Sequence, residues 1–248
     1  MNDFNKYTLL LCVFILCSTI GCSARMLASP VVSPPSGPPQ LQSAEEGWWA
    51  VRFRMDRPDN ETRWEKDLLL AHRIVAPIIA EEEENIGLWR FHRRSNNDAA
   101  SHQFSFIFYS TAVTADRIYR RVMDDALVTQ LLHQGVVQRV VTDALDRNER
   151  PAVGDTSDPS WSPVMRNAWP HYIMGVSRMW LAMVDQVSRE NGAPESTLET
   201  DLLAHYQRVN AEVTRIWQQE GYHALLHHLN AIYGYEPMVY WEKRWKSF

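Results

Sequence analysis

Three short segments of this sequence place an aromatic or aliphatic residue at every second position, and that alternation limits the folds open to it. In "GWWAVRFRM" Trp49, Val51, Phe53 and Met55 point one way and Ala50, Arg52 and Arg54 the other. "GLWRFHRR" and "HQFSFIFYS" repeat the pattern, and the turn-rich Ser95-Asn96-Asn97-Asp98 between them marks a hairpin. A period of two with aromatic side chains on one parity describes strands of a sheet buried on one face. Between the first and second of these segments, Thr62 with Glu65 reads as a capping box. Trp64, Leu68, Ala71, Val75 and Ile79 follow at helical spacing, interrupted at Pro77. After the third segment, Thr114 is expected to cap a helix with Tyr119, Val122, Met123, Ala126, Leu127 and Leu131 on one stripe and Gly135 at its end. "VVQRVVTD" reads as a fourth strand. The order strand, helix, strand, strand, helix, strand predicts an α+β fold with a ferredoxin-like βαββαβ half over residues 47–145.

Residues 146–248 have a different character. A loop rich in Asp and Pro gives way to helical periodicity, with Pro170 read as a first-turn residue and Ile173, Val176, Trp180, Val184 and Val187 on a stripe. Ser196 and Glu199 form a second capping-box pattern before Leu198, Leu202, Tyr206, Val209, Val213 and Ile216. A last amphipathic stretch runs from Tyr222 to Tyr233. These patterns predict a helical C-terminal half packed on the sheet-bearing half. Most of the tryptophans there are expected in its core.

Residues 1–21 combine a short polar start, an apolar run and Thr19-Ile20-Gly21 before Cys22. The stretch from 7 to 21 is 15 residues long, short of the ~20 needed to span a bilayer. The segment resembles the signal of bacterial lipoproteins. That resemblance implies cleavage before Cys22, acylation of Cys22 and anchoring in the cell envelope. Ser23, where an Asp would favour inner-membrane retention, leans the expectation toward the outer membrane facing the periplasm, with the inner membrane or the cell surface as alternatives. The three cysteines are Cys12, Cys17 and Cys22, so the rest of the chain has no thiol to pair and must rely on its core. Residues 22–46 carry prolines at 30, 34, 35, 38 and 39 and read as an extended tether. The formal net charge of −5 gives no reason to expect nucleic acid.

If the aromatic parity faces the helices, then Arg52, Arg54, Arg90, His92, Arg94 and Arg139 share the other face, with Ser105, Ile107 and Tyr109 among them. Guanidinium forks on such a face suit carboxylates or phosphates, and Arg52, Arg54, Arg90, His92, Arg94, Tyr109 and Arg139 are the candidate ligand-binding residues. His223 and His227 stand at i, i+4 and are the weak metal candidates. No third ligand is fixed by sequence, and Ala224 occupies the place where zinc peptidases have glutamate. Ser177 follows a glycine pair-wise spaced as in a nucleophile elbow, but Met179 breaks the pattern and the context is helical. Trp89-Arg90-Phe91-His92-Arg93 followed by a strand after His102 is similar to part of the elimination domain of lantibiotic and thiopeptide dehydratases. The arginines of that family fall where this chain has Phe104 and Phe106, so the likeness implies a shared fold element and not its lyase chemistry.

The expected function is binding: a lipid-anchored envelope protein that takes an anionic ligand or protein partner on its basic face, in envelope assembly or biosynthesis, without a cofactor. The alternative is an enzyme using His92 or His102 as a general acid or base beside Arg90 and Arg52. A third reading is a structural subunit whose aromatic and basic tail, Trp241 to Phe248, docks on a larger envelope complex.

Overall fold

A computed structural model describes residues 46–55, 61–95, 101–146, 150–192 and 198–238. The expected signal, the expected tether up to residue 45, the expected turn residues 96–98, Ser196 and the tail from 239 to 248 lie outside the described residues. The fold is mixed α+β. Strand β1 (Glu46–Met55) is followed by α1 (Glu65–Leu70), a π-helical turn over Ala71–Val75 and α2 (Ala76–Glu81). The hairpin of β2 (Leu88–Arg94) and β3 (Gln103–Thr111) leads to α3 (Ala112–Met123), α4 (Ala126–His133) and β4 (Val137–Thr142). Four antiparallel strands stand in the order β2-β3-β1-β4.

Several helix ends differ from the sequence reading, each for a local reason. The first helix starts at Glu65 with Trp64, and not Thr62, at its N-cap position. Pro77 has no N–H to give to the turn before it. The backbone widens into the π-turn, and helix resumes with Pro77 in its first turn. Thr111, not Thr114, caps α3, accepting from the Thr114 amide at 3.3 Å. The expected single helix is two, because Asp125 caps a fresh start at Ala126 through the amides of Leu127 and Val128. Met123, expected on the apolar stripe, is exposed next to that break. Gly135 closes α4 at φ +76°, where a Cβ would be strained.

Helices α5 (Pro163–Glu190), α6 (Glu199–Gly221), a second π-turn (Tyr222–His227) and α7 (His228–Ile232) complete the described chain. Pro170 lies inside α5, not at its start, which belongs to Ser162 and Pro163. The carbonyl of Arg166, which Pro170 leaves without its helical donor, accepts from the Ser157 hydroxyl at 2.7 Å. α6 begins at Glu199 with Leu198 at its N-cap position, and Leu198, expected on its stripe, is exposed.

One continuous core contains Trp49, Phe53, Phe104, Phe106 and Phe108 from the sheet, Leu68, Ile74 and Ile78 from the first helical segment, and Val184, Val187, Tyr206 and Val209 from α5 and α6. The helical half is thus part of the same hydrophobic unit and not an appended layer. α5 runs along the outer edge of β2, where the Phe91 amide donates to the Ser177 hydroxyl at 3.1 Å and Trp180 meets Phe91 edge-on at 5.5 Å. Ser177 in turn donates to the Ile173 carbonyl at 2.8 Å, so this serine caps a strand edge. The glutamates that end α2 also bind within the fold: Glu82 receives two hydrogen bonds from Arg117, at 2.9 and 2.6 Å.

A polar joint links the first helical segment to α5 and α6. His72 Nδ1 lies 2.8 Å from the Tyr206 hydroxyl and His72 Nε2 3.4 Å from Asp185, while His205 Nε2 lies 2.9 Å from the Ser188 hydroxyl. Burial pushes His72 below its usual pKa of 6.5, against the pull of Asp185 and with help from Arg73 and Arg189. Burial likewise lowers His205, aided by Arg208, His72 and Arg73. The unfolded chain therefore takes up these protons at a higher pH than the folded one. Stability is complete above about 6.5 and declines as pH falls through that value toward the lower folded pKa. Urea midpoints measured from pH 7.5 to 5.5 are expected to fall, with a shallower slope in His72→Gln.

Candidate functional site

The strand register brings the basic residues together. Across the sheet, on the face turned away from the core, Arg90 stands beside Ile107 and Ala50. His92 stands beside Ser105, Arg52 and Val141, and Arg94 beside Gln103, Arg54 and Arg139. Tyr109 lies one row beyond Arg90, between Leu88 and Trp48. Its ring meets Trp48 edge-on at 5.4 Å, and burial with the nearby Glu46 raises its pKa. Ser105 and Gln103 are buried on this face and bonded to each other at 3.0 Å. They form a polar floor between the arginines.

Among the described residues, a loop covers one end of the face, and Trp169 of α5 stands over Arg90 beside it. Residues 143–146 and 150–157 fold back along β1. The Trp48 amide donates to the Pro151 carbonyl at 3.3 Å and the Trp48 indole to the Val153 carbonyl at 3.0 Å. Arg150 lies over the Trp49 ring at 3.9 Å and donates to the Leu145 carbonyl. Gly47 makes this approach possible, since a Cβ there would stand 2.5 Å from Arg150 Cβ. A 3₁₀ turn over Val153–Thr156 then delivers Asp155 and Thr156 to the sheet. The result is a cleft of about 310 Å³ with Trp48, Ala50 and Ile107 in its lining and Arg52, Arg90, Arg150, Asp143, Asp155 and Thr156 around them.

Charge in this cleft is unevenly matched. Arg52 pairs with Asp143 at 2.7 Å, and Asp155 pairs with Arg166 at 2.9 Å. Arg90 has neutral partners: the Thr156 hydroxyl at 3.2 and 3.0 Å, and the Trp169 ring 5.3 Å away. Burial and the neighbouring Arg94 push its pKa down to about 10, which leaves it charged at neutral pH. Further along the face Arg54 stands directly opposite Arg139, an unfavourable pairing of like charges. The Arg54 Nε is buried without a hydrogen-bond partner among the described residues.

The two histidines of the enzyme reading separate. His92 is half-exposed on the basic face. His102 sits on the opposite side of the sheet, with its side chain fully buried and Nε2 2.9 Å from Asp67, so it cannot act beside Arg90 and Arg52. Asp67 also receives the Arg93 Nε at 2.8 Å, and the Arg93 guanidinium lies between Trp64 at 4.7 Å and Trp180 at 4.9 Å. Phe104 and Phe106 are fully buried in the core. The positions where the dehydratase likeness would need arginines are therefore closed to a substrate.

His223 and His227 stack at 5.1 Å with an interplanar angle of 22°, and His228 packs 5.3 Å from both. Among the described residues no group of three or more His, Cys, Asp or Glu is placed to hold a metal ion. The segment around these histidines buries no residue between Tyr222 and Ile232, and Tyr222, Leu226, Ile232 and Tyr233 are exposed. Trp161 and Trp217 are exposed as well, against the expectation of a core role.

Asp143, Arg150 and Thr156 line the cleft and Trp169 stands beside its Arg90, and none of the four was singled out by sequence. The first three sit in or beside irregular chain with no period to read, and Trp169 reads as one more core aromatic. Among the described residues no helix is long and apolar enough to cross a membrane. No protein-family model, curated protein or solved structure matches this chain.

Proposed function

We propose that this chain is a lipid-anchored envelope protein, held through an acylated Cys22 and a proline-rich tether, that binds an anionic ligand on its basic sheet face. The strand order β2-β3-β1-β4, with a helical segment after β1 and another after β3, supports a ferredoxin-like core as the platform. One observation carries the binding reading: among the described residues Arg90, half-buried in a cleft, has only neutral partners and a second arginine near it. A desolvated guanidinium without a counter-charge is costly, and a carboxylate or phosphate would offset that cost with charge-assisted hydrogen bonds. Arg52, Arg150 and Thr156 stand around the same cleft to share the anion. Arg54 and Arg139, opposed across β1 and β4, give it a second basic row.

Titration of the full chain with inorganic phosphate and with citrate, at fixed ionic strength, tests this reading. Each bound ligand raises the thermal midpoint in proportion to the logarithm of its concentration over Kd. Arg90→Met is expected to weaken binding roughly 10- to 100-fold, the worth of a charge-assisted hydrogen bond, while circular dichroism stays unchanged. Equal affinity in the variant, or no response to either anion beyond that of chloride, would sink the proposal. A docking subunit is the second reading, favoured by the exposed Tyr222, Leu226, Ile232 and Tyr233. A stoichiometric envelope partner lost on removal of residues 222–248 would establish it.

A further inference from the structure

The Arg90 guanidinium has two neighbourhoods. On one side it lines the cleft; its other contact is the Trp169 ring, 5.3 Å from its central carbon. Trp169 meets Trp161 edge-on at 5.6 Å, and Trp161 is 37% exposed. From there the apolar surface continues over the first turns of α5. Val164 is 80% exposed, and Met165 and Tyr172 are about half exposed. Met165, Ala168, Trp169 and Tyr172 fall on one side of that helix by their spacing. An aromatic and aliphatic strip therefore leads from a half-buried cation, which has no acidic partner among the described residues, out to solvent.

This strip is fixed to the cleft. Ser157 bonds the Arg166 carbonyl at 2.7 Å, and Arg166 bonds Asp155, which itself lines the cleft. The loop that brings Thr156 to Arg90 is thus tied to the helix that carries the strip. The cleft also has Trp48, Ala50 and Ile107 in its lining, so apolar surface is present at both ends of the arginine. A small inorganic anion would use the guanidinium and leave that surface in water. A molecule with a charged head and a hydrocarbon portion would use both.

We infer that the ligand is an anionic amphiphile, whose phosphate or carboxylate head is held by Arg90 with Arg52 and Arg150 and whose hydrocarbon portion lies along Trp169 and Trp161. This rests on the reading of Arg90 as an anion site and adds the chemical class of what it binds. Each methylene that the strip removes from water would tighten binding by up to roughly fourfold.

The experiment is titration calorimetry of the full chain with three probes: octyl phosphate below its micelle concentration, inorganic phosphate, and octyl glucoside, which has the same tail and no charge. Octyl phosphate is expected to bind at least about tenfold more tightly than either of the others. In Trp161→Ala, the ratio of octyl phosphate to inorganic phosphate affinity is expected to narrow to within about threefold. Trp161 is partly exposed, so this variant keeps its fold, and Met165→Ser supplies an independent second change on the same strip. Equal binding of octyl phosphate and inorganic phosphate overturns the amphiphile inference and leaves the anion site standing. Equal binding of octyl phosphate and octyl glucoside shows a merely greasy surface and also overturns it. Binding of none of the three overturns both readings.

Discussion

Replacing Asp67 with alanine lowers the unfolding free energy by about 3–5 kcal/mol, the range for removing one partner of a buried ion pair. The Asp67 side chain is fully buried and accepts from Arg93 at 2.8 Å and from His102 at 2.9 Å. Without it, a guanidinium held between Trp64 and Trp180 has lost its counter-ion. His102, whose Nδ1 has no partner among the described residues, then loses the partner of its Nε2 as well. The network joins α1, β2, α5 and the start of β3, so the loss is felt by the whole core. Urea denaturation reads the effect as a lower midpoint at unchanged slope, and for a chain of this size the thermal midpoint falls by roughly 10 °C. A loss under about 1 kcal/mol would mean that the carboxylate behaves like a surface charge.

Trp49→Ala is expected to cost a similar ~3–5 kcal/mol, for a different reason. Trp49 is among the largest fully buried side chains, its indole donates to the Ser110 carbonyl at 2.9 Å, and it packs edge-on against Tyr119 at 6.4 Å. Truncation leaves a cavity that the surrounding sheet and α3 cannot fill without shifting. The same ring is the seat of Arg150, so this variant is also expected to loosen the loop that closes the cleft. Two readouts check it together: the denaturation midpoint, and the affinity for phosphate at a temperature where the variant is folded. A destabilised variant with unchanged affinity would separate the Arg150 seat from the cleft.

The basic face was legible in the sequence because strand parity is a strict rule. Once Trp49, Val51 and Phe53 are assigned inward, Arg52 and Arg54 have one place to go, and the same logic holds for Arg90, His92 and Arg94. Helix ends were less legible. Thr111 and Thr114 are equally good capping residues by type, and only the end of β3 decides between them. Pro170 reads as a helix start because an internal proline leaves a carbonyl unpaired, and no local pattern reveals that Ser157 satisfies it. The cleft was half legible. Its arginines lie on strands, whereas Asp143, Arg150 and Thr156 are brought to them by a loop whose path depends on tertiary bonds to Trp48 and Arg166. His102 shows the limit of reading proximity from sequence: it precedes β3 on the parity of Phe104 and so belongs to the core.

The position of β1 in the sheet bears on how the protein is made. It is the first described strand yet holds a central place, paired on one side with residues 103–111 and on the other with residues 137–142. A growing chain exposes this strand long before either neighbour exists, and such distant pairings slow folding and prolong exposure of aggregation-prone segments. Arg52 and Arg54 interrupt its apolar run on alternate positions, and charges so placed oppose pairing with a second nascent chain. The arginines that line one face of the finished sheet are thus also charges that oppose pairing of β1 with another unfolded chain before β3 and β4 join it.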